Sequence, residues 1–381
     1  MSSNITNAVI VAYARSPFHL AGKGALARVR PDDLAATVIA GLVQRAGVKP
    51  DDIEDLLLGC AFPEGEQGLN VARMVSLIAE LPLSVGGATV NRFCGSSMSA
   101  IHIAAGQIAL GAGKLFVSGG IESMSRVPMS GFNPLPNPAL ARSSHAYISM
   151  GDTAENVAAK YGIDRAAQEA FALASQQKAA AAIAAGKLAD EIVPVETKAG
   201  KVSIDGTPRP DTSAEGLAGL KPAFSANGTV TAGTSSPLTD GAAAVLVAEE
   251  SYAREHGLPI LARIRSVAVS GCAPEIMGIG PVEASKKALA RAGIGVNDLS
   301  VIELNEAFAS QSLACIGDLG LDPAKVNIDG GAIAIGHPLG ATGARITGKA
   351  AALLKREGGK YALATQCIGG GQGIATVLEA V

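Results

Sequence analysis

Residues 45–62, RAGVKPDDIEDLLLGCAF, align without gaps to residues 291–308, RAGIGVNDLSVIELNEAF, at an offset of 246 residues (291 minus 45). The same offset relates Gly113-Lys114 to Gly359-Lys360, and each pair precedes a short apolar run. An offset that returns in separate segments indicates an internal duplication. We therefore expect one structural unit to be used twice.

Each copy has a helical pattern that ends at Arg-Ala-Gly and is followed by an apolar strand, such as residues 301–304 in the second copy. The glycines after the two helices, Gly47 and Gly293, suit left-handed caps. Apolar strands that alternate with helices are typical of a sheet covered on both faces. The sequence thus predicts an α/β fold of two duplicated halves packed together.

Residues 124–237 interrupt the repeat with four prolines, a helix near 164–185 and a Gly/Ser/Thr-rich stretch. Asp164 and Gly186 are the expected caps of that helix. We interpret the interruption as an inserted loop domain. The predicted domains are an N-terminal half that carries the nucleophile, the inserted domain, and a C-terminal half, with bounds 1–123 plus 238–267, 124–237, and 268–381 respectively.

Composition excludes several function classes. Hydrophobic residues make up 48% of the 381 residues and charged residues 17%, with a net charge of -3, which argues against a nucleic-acid binder with a broad basic face. No apolar run is long enough to span a membrane, and residues 1–7 lack the pattern of a secretory signal. Five cysteines without close CxxC pairing favour free thiols over disulfides or zinc. We expect a cytoplasmic protein.

Three distant segments each hold one reactive side chain among glycines: Cys94, His337 and Cys367. Two thiols and an imidazole suit acyl transfer, which needs a nucleophile, a base and a second proton carrier. Cys94 is predicted where a strand turns into a helix, and there the helix dipole and free N–H groups would lower the thiol pKa and hold an oxyanion. The alternative for Cys94 is a buried structural cysteine.

His337 lies between a glycine and a proline, which favours a fixed, tightly turned backbone, although a lone histidine is more often a surface or satisfied core residue. Cys367 is expected to follow a strand over 361–366 and to precede a glycine run. A phosphate-binding nest is the rival interpretation of that run, but neither a P-loop lysine nor a complete GxGxxG accompanies it.

Asn305 and Glu306 follow the strand of the second copy and replace Gly59 and Cys60 of the first. Asn305 is expected to hold a water or a carbonyl oxygen. For Glu306, orientation of a base and formation of an ion pair are both open.

Five motifs occur together in the order found in one family. The chain resembles the thiolases, most closely the 3-ketoacyl-CoA thiolases of fatty-acid degradation, over essentially its whole length. The resemblance implies a thiolase-like fold, layered α-β-α-β-α, with an inserted loop domain. The motifs are NRFCGSSMSAI (91–101), GTVTAGTSSPLTDGAAA (228–244), NEAFA (305–309), IDGGAIAIGHPLGATGAR (328–345) and CIGGGQG (367–373).

This resemblance implies roles for five residues. Cys94 would be the acylated nucleophile, His337 its base, and Cys367 the acid/base that acts on acetyl-CoA. One oxyanion site would combine His337 with a water held by Asn305, and another would use the N–H groups of Cys94 and Gly369.

The resemblance also implies coenzyme A as a substrate, with no bound cofactor and no metal. Its pantetheine arm would lie by Ser236, with Phe224, Ala307 and Phe308 on its apolar side. Basic residues of the insertion are candidates to face the phosphates, namely Lys198, Lys201, Arg209 and Lys221.

Chain-length preference rests on smaller features. Many short-chain biosynthetic relatives have a histidine before the pair Met150-Gly151, and Ser149 takes its place here. This serine, together with Phe93 and Ser97 around the nucleophile, favours a degradative enzyme for longer chains. An acyl pocket would use Met124, Met129 and Met150, although methionine often merely fills cores.

The alternatives are a short-chain acetoacetyl-CoA thiolase working in the biosynthetic direction and a non-catalytic CoA- or lipid-binding relative. A decarboxylating condensing enzyme would lack Cys367. Thiolases imply a homodimer or homotetramer, CoA thioesters as partners, and an association with other β-oxidation enzymes.

Overall fold

The computed structural model describes residues 7–381. The prediction that residues 1–7 are not a secretory signal therefore lies outside the described residues, apart from Asn7. The strands are β1 (Ala8–Arg15), β2 (His19–Leu20), β3 (Asp55–Gly59), β4 (Ala88–Val90), β5 (Leu115–Ser123), β6 (Val195–Thr197), β7 (Gly200–Val202), β8 (Thr239–Glu249), β9 (Ala262–Gly271), β10 (Leu299–Leu304), β11 (Tyr361–Ile368) and β12 (Gln372–Glu379).

The helices are α1 (Pro31–Ala46), α2 (Val71–Ile78), α3 (Ser96–Ala109), α4 (Pro138–Ser143), α5 (Met150–Tyr161), α6 (Arg165–Ala184), α7 (Ala214–Ala218), α8 (Glu250–Glu255), α9 (Gly280–Ala292), α10 (Ala309–Leu319), α11 (Ala332–Ile335) and α12 (Leu339–Glu357). No helix within residues 7–381 has both the length and the apolar character needed to cross a membrane.

The two halves repeat the same strand pairing, which confirms the duplication. In the first half β1 pairs antiparallel with β8, β8 antiparallel with β5, and β5 parallel with β3. In the second half β9 pairs antiparallel with β12, β12 antiparallel with β11, and β11 parallel with β10.

A short antiparallel contact between β1 and β9 joins the halves into one sheet, through the pairs Val9–Arg263 and Ile10–Ala262. The strand order is β10-β11-β12-β9-β1-β8-β5-β3-β4, with β2 beside β8. The proposed division at residue 267 falls inside β9 and stays a prediction.

Three apolar cores hold five layers together, and the middle core spans both sides of the central helical layer. Helix α1 and α2 cover one face of the first half-sheet, and α9 and α10 cover the outer face of the second. Between the half-sheets, α3 and α12 pack against each other and bury side chains from both. The α/β class and the α-β-α-β-α layering are therefore as expected.

Caps appear largely where the sequence places them. Gly47 and Gly293 adopt φ angles of 65° and 72° after α1 and α9. The Asp164 carboxylate accepts a hydrogen bond from the Ala167 N–H at 2.8 Å and caps α6. The C-terminal cap of α6 is Ala185, and Gly186 follows it with φ 71°, so the prediction there was one residue late.

Candidate active site

Cys94 lies on a short helical turn, Phe93–Gly95, directly before α3. The residue before it, Phe93, has φ 44°, a backbone conformation that residues other than glycine rarely adopt. The Ser96 hydroxyl pins this turn, because it accepts from the Arg92 N–H at 2.9 Å and donates to the Phe93 carbonyl at 2.5 Å. The predicted strand-to-helix junction is confirmed.

The thiol of Cys94 faces two backbone donors. The N–H groups of Gly369 and of Cys94 itself lower its pKa, but burial of the sulfur outweighs them and raises the pKa to about 12, with the Glu122 charge adding to the rise. The expected lowering of the Cys94 pKa is therefore wrong for the resting protein. The two N–H groups nevertheless lie at the sulfur and are available to the oxygen of a carbonyl group that the sulfur attacks.

His337 is buried between α11 and α12, with only 5% of its surface exposed. Its Nδ1 lies 2.6 Å from the Thr342 Oγ1, and that hydroxyl donates to the Pro338 carbonyl at 3.0 Å. Since the hydroxyl proton is already used, Thr342 accepts from Nδ1–H. This hydrogen-bond network assigns the tautomer and leaves Nε2 as an acceptor, 3.4 Å from the Asn305 Nδ2.

The imidazole of His337 stays neutral over a wide pH range. Burial, followed by the positive charge of Arg345, lowers its pKa to about 3. The Oδ1 of Asn305 is buried and has no hydrogen-bond partner among the described residues. A neutral base beside an unpartnered carbonyl oxygen suits a site that receives water or substrate.

The sequence predicted that Cys367 follows the strand over 361–366. In the structure it lies within β11 and pairs with Gly373 of β12. The thiol is buried in an apolar cluster that includes Ala307, Phe308 and, at its edge, Met150. Burial raises its pKa well above the ordinary value, and the neighbouring Cys94 thiol adds to the rise. Cys367 is thus a neutral thiol that holds its proton.

The residues expected to line the CoA arm meet beside Cys367. The Phe224 ring contacts Phe308 edge-on at 5.9 Å between centroids, and the Ser236 N–H donates to the Ala307 carbonyl at 3.0 Å. A Cβ at Gly369 would lie 3.5 Å from the Met150 sulfur. The cluster therefore connects the glycine run after Cys367 to the inserted residues 124–237.

The basic candidates are more scattered. Lys221 is exposed and precedes Phe224 by three positions. Lys198 lies between β6 and β7 and Lys201 within β7, a hairpin whose Val195 packs into the core beneath α1. Arg209 donates its backbone N–H to the Gln176 amide oxygen. Of the four basic residues, Lys221 is the nearest in sequence to Phe224.

Glu306 does not form, among the described residues, the ion pair that was one of its two expected roles, and its other expected role, orientation of a base, stays a prediction. Its carboxylate accepts from the Ser175 hydroxyl at 2.6 Å, the Asn327 amide at 2.8 Å and the Ile333 N–H at 3.1 Å. It therefore fixes α11, which leads into the His337 turn.

Sequence reasoning missed Glu122. This carboxylate lies at the end of β5, a strand in which all nine residues are buried, and it bonds to the Gly340 N–H beside the His337 turn. A single acidic residue in a strand that otherwise holds only apolar residues, glycine and serine was the available signal, because buried charges require partners.

Gly336 sets the backbone before His337, with φ 106°, and a Cβ there would lie 2.8 Å from the Thr239 Cγ2. We expect Gly336→Ala to lower the free energy of unfolding by about 2 kcal/mol and to reduce turnover, because Thr239 also accepts from the His337 N–H at 3.1 Å. Urea denaturation and steady-state kinetics measure both effects.

The matched control is Gly317→Ala, in α10, where an added Cβ meets nothing within 4 Å. Alanine should raise the stability of that helix by roughly 0.5 kcal/mol and leave turnover unchanged. Equal effects of the two substitutions would contradict the strain argument.

Two family models match nearly the whole chain. The model of the thiolase N-terminal domain matches residues 8–251, and that of the thiolase C-terminal domain matches residues 258–380. No group of three or more His, Cys, Asp or Glu side chains in residues 7–381 is placed to hold a metal ion.

Several curated relatives are similar over nearly the whole chain. A 3-ketoacyl-CoA thiolase of Bacillus subtilis (strain 168) is 50% identical, covering 98% of this chain and 99% of the relative. A 3-ketoacyl-CoA thiolase of Shewanella sp. (strain MR-7) is 52% identical with the same coverage. One of Pseudoalteromonas translucida (strain TAC 125) is 50% identical, covering 99% of this chain and all of the relative.

Proposed function

Because the chain belongs to the thiolase family, we propose that it is a 3-ketoacyl-CoA thiolase, an acyltransferase that uses coenzyme A to cleave 3-ketoacyl-CoA into acetyl-CoA and a shortened acyl-CoA. The observation that carries the proposal is the meeting of the Cys94 sulfur with the Gly369 N–H, next to the Cys367 thiol. The chemistry would be reversible and would pass through an acyl-cysteine.

In the first step the neutral Nε2 of His337 takes the proton of Cys94, and the thiolate attacks the 3-keto carbon. The N–H groups of Cys94 and Gly369 would stabilise the resulting alkoxide. Collapse of that adduct breaks the carbon–carbon bond, leaves the acyl group on Cys94, and releases the enolate of acetyl-CoA. His337 and a water on Asn305 would hold the enolate oxygen.

In the second step Cys367 donates its proton to the enolate carbon, which yields acetyl-CoA. A raised thiol pKa suits this donor, because the proton stays bound until a strong base forms beside it. A second CoA thiol then gives its proton to the Cys367 thiolate and attacks the acyl-cysteine. Release of the shortened acyl-CoA leaves the Cys94 thiolate, which takes its proton back from His337. Coenzyme A is thus a substrate, and the mechanism uses no bound cofactor.

The CoA arm would run along the insertion. Phe224 and Phe308 form an apolar wall, Ala307 and Ser236 lie beside it, and Met150 approaches Gly369. We place the pantetheine against this wall and the phosphates toward Lys221, where an exposed ammonium could meet them.

Chain length separates this proposal from a short-chain acetoacetyl-CoA thiolase. The Ser149 hydroxyl accepts from the Asp152 N–H at 3.2 Å and caps α5, so it is occupied where short-chain relatives have a histidine. We expect a long-chain 3-ketoacyl-CoA to be cleaved faster than acetoacetyl-CoA.

The test adds free CoA and either substrate to the purified protein and follows loss of the ketoacyl thioester. Activity confined to acetoacetyl-CoA would overturn the chain-length assignment. Inactivity on both would favour a non-catalytic CoA- or lipid-binding protein.

We also propose a homodimer or homotetramer that acts in the reducing cytoplasm beside other β-oxidation enzymes. Leu69, Leu83 and Leu110 are 88%, 80% and 85% exposed, and β4 is an unpaired edge of the sheet. Exposed apolar residues and an open edge strand both support subunit contact. Light scattering of the purified protein measures the subunit number.

A further inference from the structure

Glu122 is a buried carboxylate that the proposed proton transfers do not use. It is 1% exposed and forms no ion pair with any described residue. Its Oε2 accepts from the Ala61 N–H at 2.8 Å and the Gly340 N–H at 2.9 Å. Its Oε1 accepts from the Gln67 amide at 2.8 Å and the Phe62 N–H at 3.3 Å. Three segments of the chain therefore meet on one side chain.

All of these partners are donors. The orientation of Gln67 is fixed, because its amide oxygen accepts the Ser123 N–H at 2.7 Å, and the Cys60 thiol lies 3.8 Å from the carboxylate as a further weak donor. Burial raises the pKa of Glu122, while the N–H donors oppose that rise. An ionised carboxylate satisfies this donor set, whereas an amide or a protonated acid would add a hydrogen that faces other hydrogens.

Glu122 also completes the start of α12. The capping position is Pro338, which makes no side-chain cap, so the Glu122 carboxylate supplies both an acceptor and a negative charge at the positive end of that helix. His337 directly precedes Pro338. The contact is close, since a Cβ on Gly340 would lie 2.9 Å from the Glu122 oxygen and 2.8 Å from the Cys60 Cα.

The charge of Glu122 extends to the nucleophile. After burial, it is the contribution that raises the Cys94 pKa, against the lowering effect of the Gly369 N–H. Cys94 in turn raises the pKa of the Cys367 thiol. Hydrogen bonds also connect Glu122 to the turn of the nucleophile, because the carbonyl of Ala61 accepts from the Asn91 amide at 3.1 Å and the Asn91 side-chain oxygen accepts from the Phe93 N–H at 2.9 Å. The carboxylate therefore opposes ionisation of Cys94 before substrate arrives.

We propose that Glu122 is a positioning residue for thiolysis, whose carboxylate fixes the start of α12, and with it His337, against the turn after β3 and holds a negative charge that acts on resting Cys94. The inference rests on the proposed function, because it relies on Cys94 as nucleophile and His337 as base.

The first variant is Glu122→Gln, which keeps the size but removes the charge. We expect kcat to fall on the order of 10²-fold, as for a small misplacement of a catalytic group, with KM within about threefold of wild type. The pH at which iodoacetamide alkylates Cys94 at half its maximal rate should move down, because a neighbouring negative charge is lost. A purely structural role would lower stability without this shift.

Glu306→Gln is the matched control. It also removes a buried carboxylate held only by hydrogen bonds, but its partners are Ser175, Asn327 and the Ile333 N–H, and Glu306 does not contribute to the Cys94 pKa. Its alkylation midpoint should equal that of wild type.

The exchange Glu122→Gln with Gln67→Glu supplies the same measurements if the single variant does not fold. It restores an acceptor for the new amide while the amide oxygen still meets the Gly340 N–H, so kcat should return to within about tenfold of wild type. A folded single variant with wild-type kcat, an unchanged alkylation midpoint, or a folded exchange variant as slow as Glu122→Gln would each overturn the proposal. If wild type does not cleave 3-ketoacyl-CoA, the proposed function fails separately, and the alkylation profiles still test the coupling.

Discussion

Cys94→Ala is expected to abolish thiolysis, with a loss in kcat of at least about 10⁴-fold, as for removal of a covalent nucleophile. The substitution removes the sulfur that accepts the acyl group, while the turn keeps its Ser96 and Gln366 hydrogen bonds to backbone atoms. Substrate should therefore still bind. The measurement is cleavage of a long-chain 3-ketoacyl-CoA in the presence of free CoA.

A second measurement identifies the intermediate. Mixing the wild-type protein with acetyl-CoA, without an acceptor, should add the mass of an acetyl group to Cys94, and the alanine variant should gain none. Cys272→Ala is the matched control, because Cys272 is also a partly exposed thiol whose pKa burial raises. It should retain wild-type turnover. Acylation or turnover that survives in Cys94→Ala would exclude Cys94 as the nucleophile.

The duplication was predictable because short stretches of adjacent residues carry it. The segments at residues 45–62 and 291–308 each contain a helix end, a glycine with positive φ and the start of a strand. Such caps depend on a few adjacent residues, so the sequence shows them. The pairing of β1 with β9, which joins the halves, involves two residue pairs and leaves no comparable pattern.

The state of the Cys94 thiol was not predictable. The turn and the N–H of Cys94 follow from adjacent residues and were correctly expected, but burial of the sulfur depends on the tertiary structure, and the Glu122 charge comes from β5. These tertiary effects outweigh the local ones. Sequence reasoning therefore located the candidate nucleophile and gave the wrong direction for its pKa.

The cluster beside Cys367 shows a different limit. Phe224, Phe308 and Met150 come from the insertion and from the second half, and periodicity in the sequence does not bring them together. Only the family resemblance suggested the lining residues. Glu122 escaped even that resemblance, since its partners at Ala61 and Gly340 are 61 and 218 positions away.

His337→Asn is expected to lower kcat by about 10³-fold, the usual contribution of a general base. Asparagine can still reach the Thr342 hydroxyl that holds Nδ1, so the turn should keep its shape. His102→Asn is the matched control, because His102 is also held neutral by burial, with a pKa of about 3, and contacts the Thr376 hydroxyl at 2.8 Å. It should keep wild-type turnover.

The pH dependence gives this prediction a sharper form. With a pKa of about 3, His337 is already the free base throughout pH 5 to 8, so kcat/KM for the wild type should show no acid limb with a midpoint near 6.5. A limb at 6.5 that disappears in His337→Asn would show that the imidazole titrates normally in the free protein.

The free energy of unfolding should also depend on pH because of the low pKa of His337. Between pH 6.5 and pH 3 the unfolded chain binds a proton at His337 that the folded protein refuses, so the free energy of unfolding falls as pH decreases through that window. The loss attributable to this residue is at most about 1.4 kcal/mol per pH unit. Urea denaturation at pH 7 and pH 5 should therefore show a larger loss for wild type than for His337→Asn, since asparagine does not titrate. Equal losses would mean that His337 is protonated as readily in the folded protein as in the unfolded chain, and its assignment as a neutral resting base would fail.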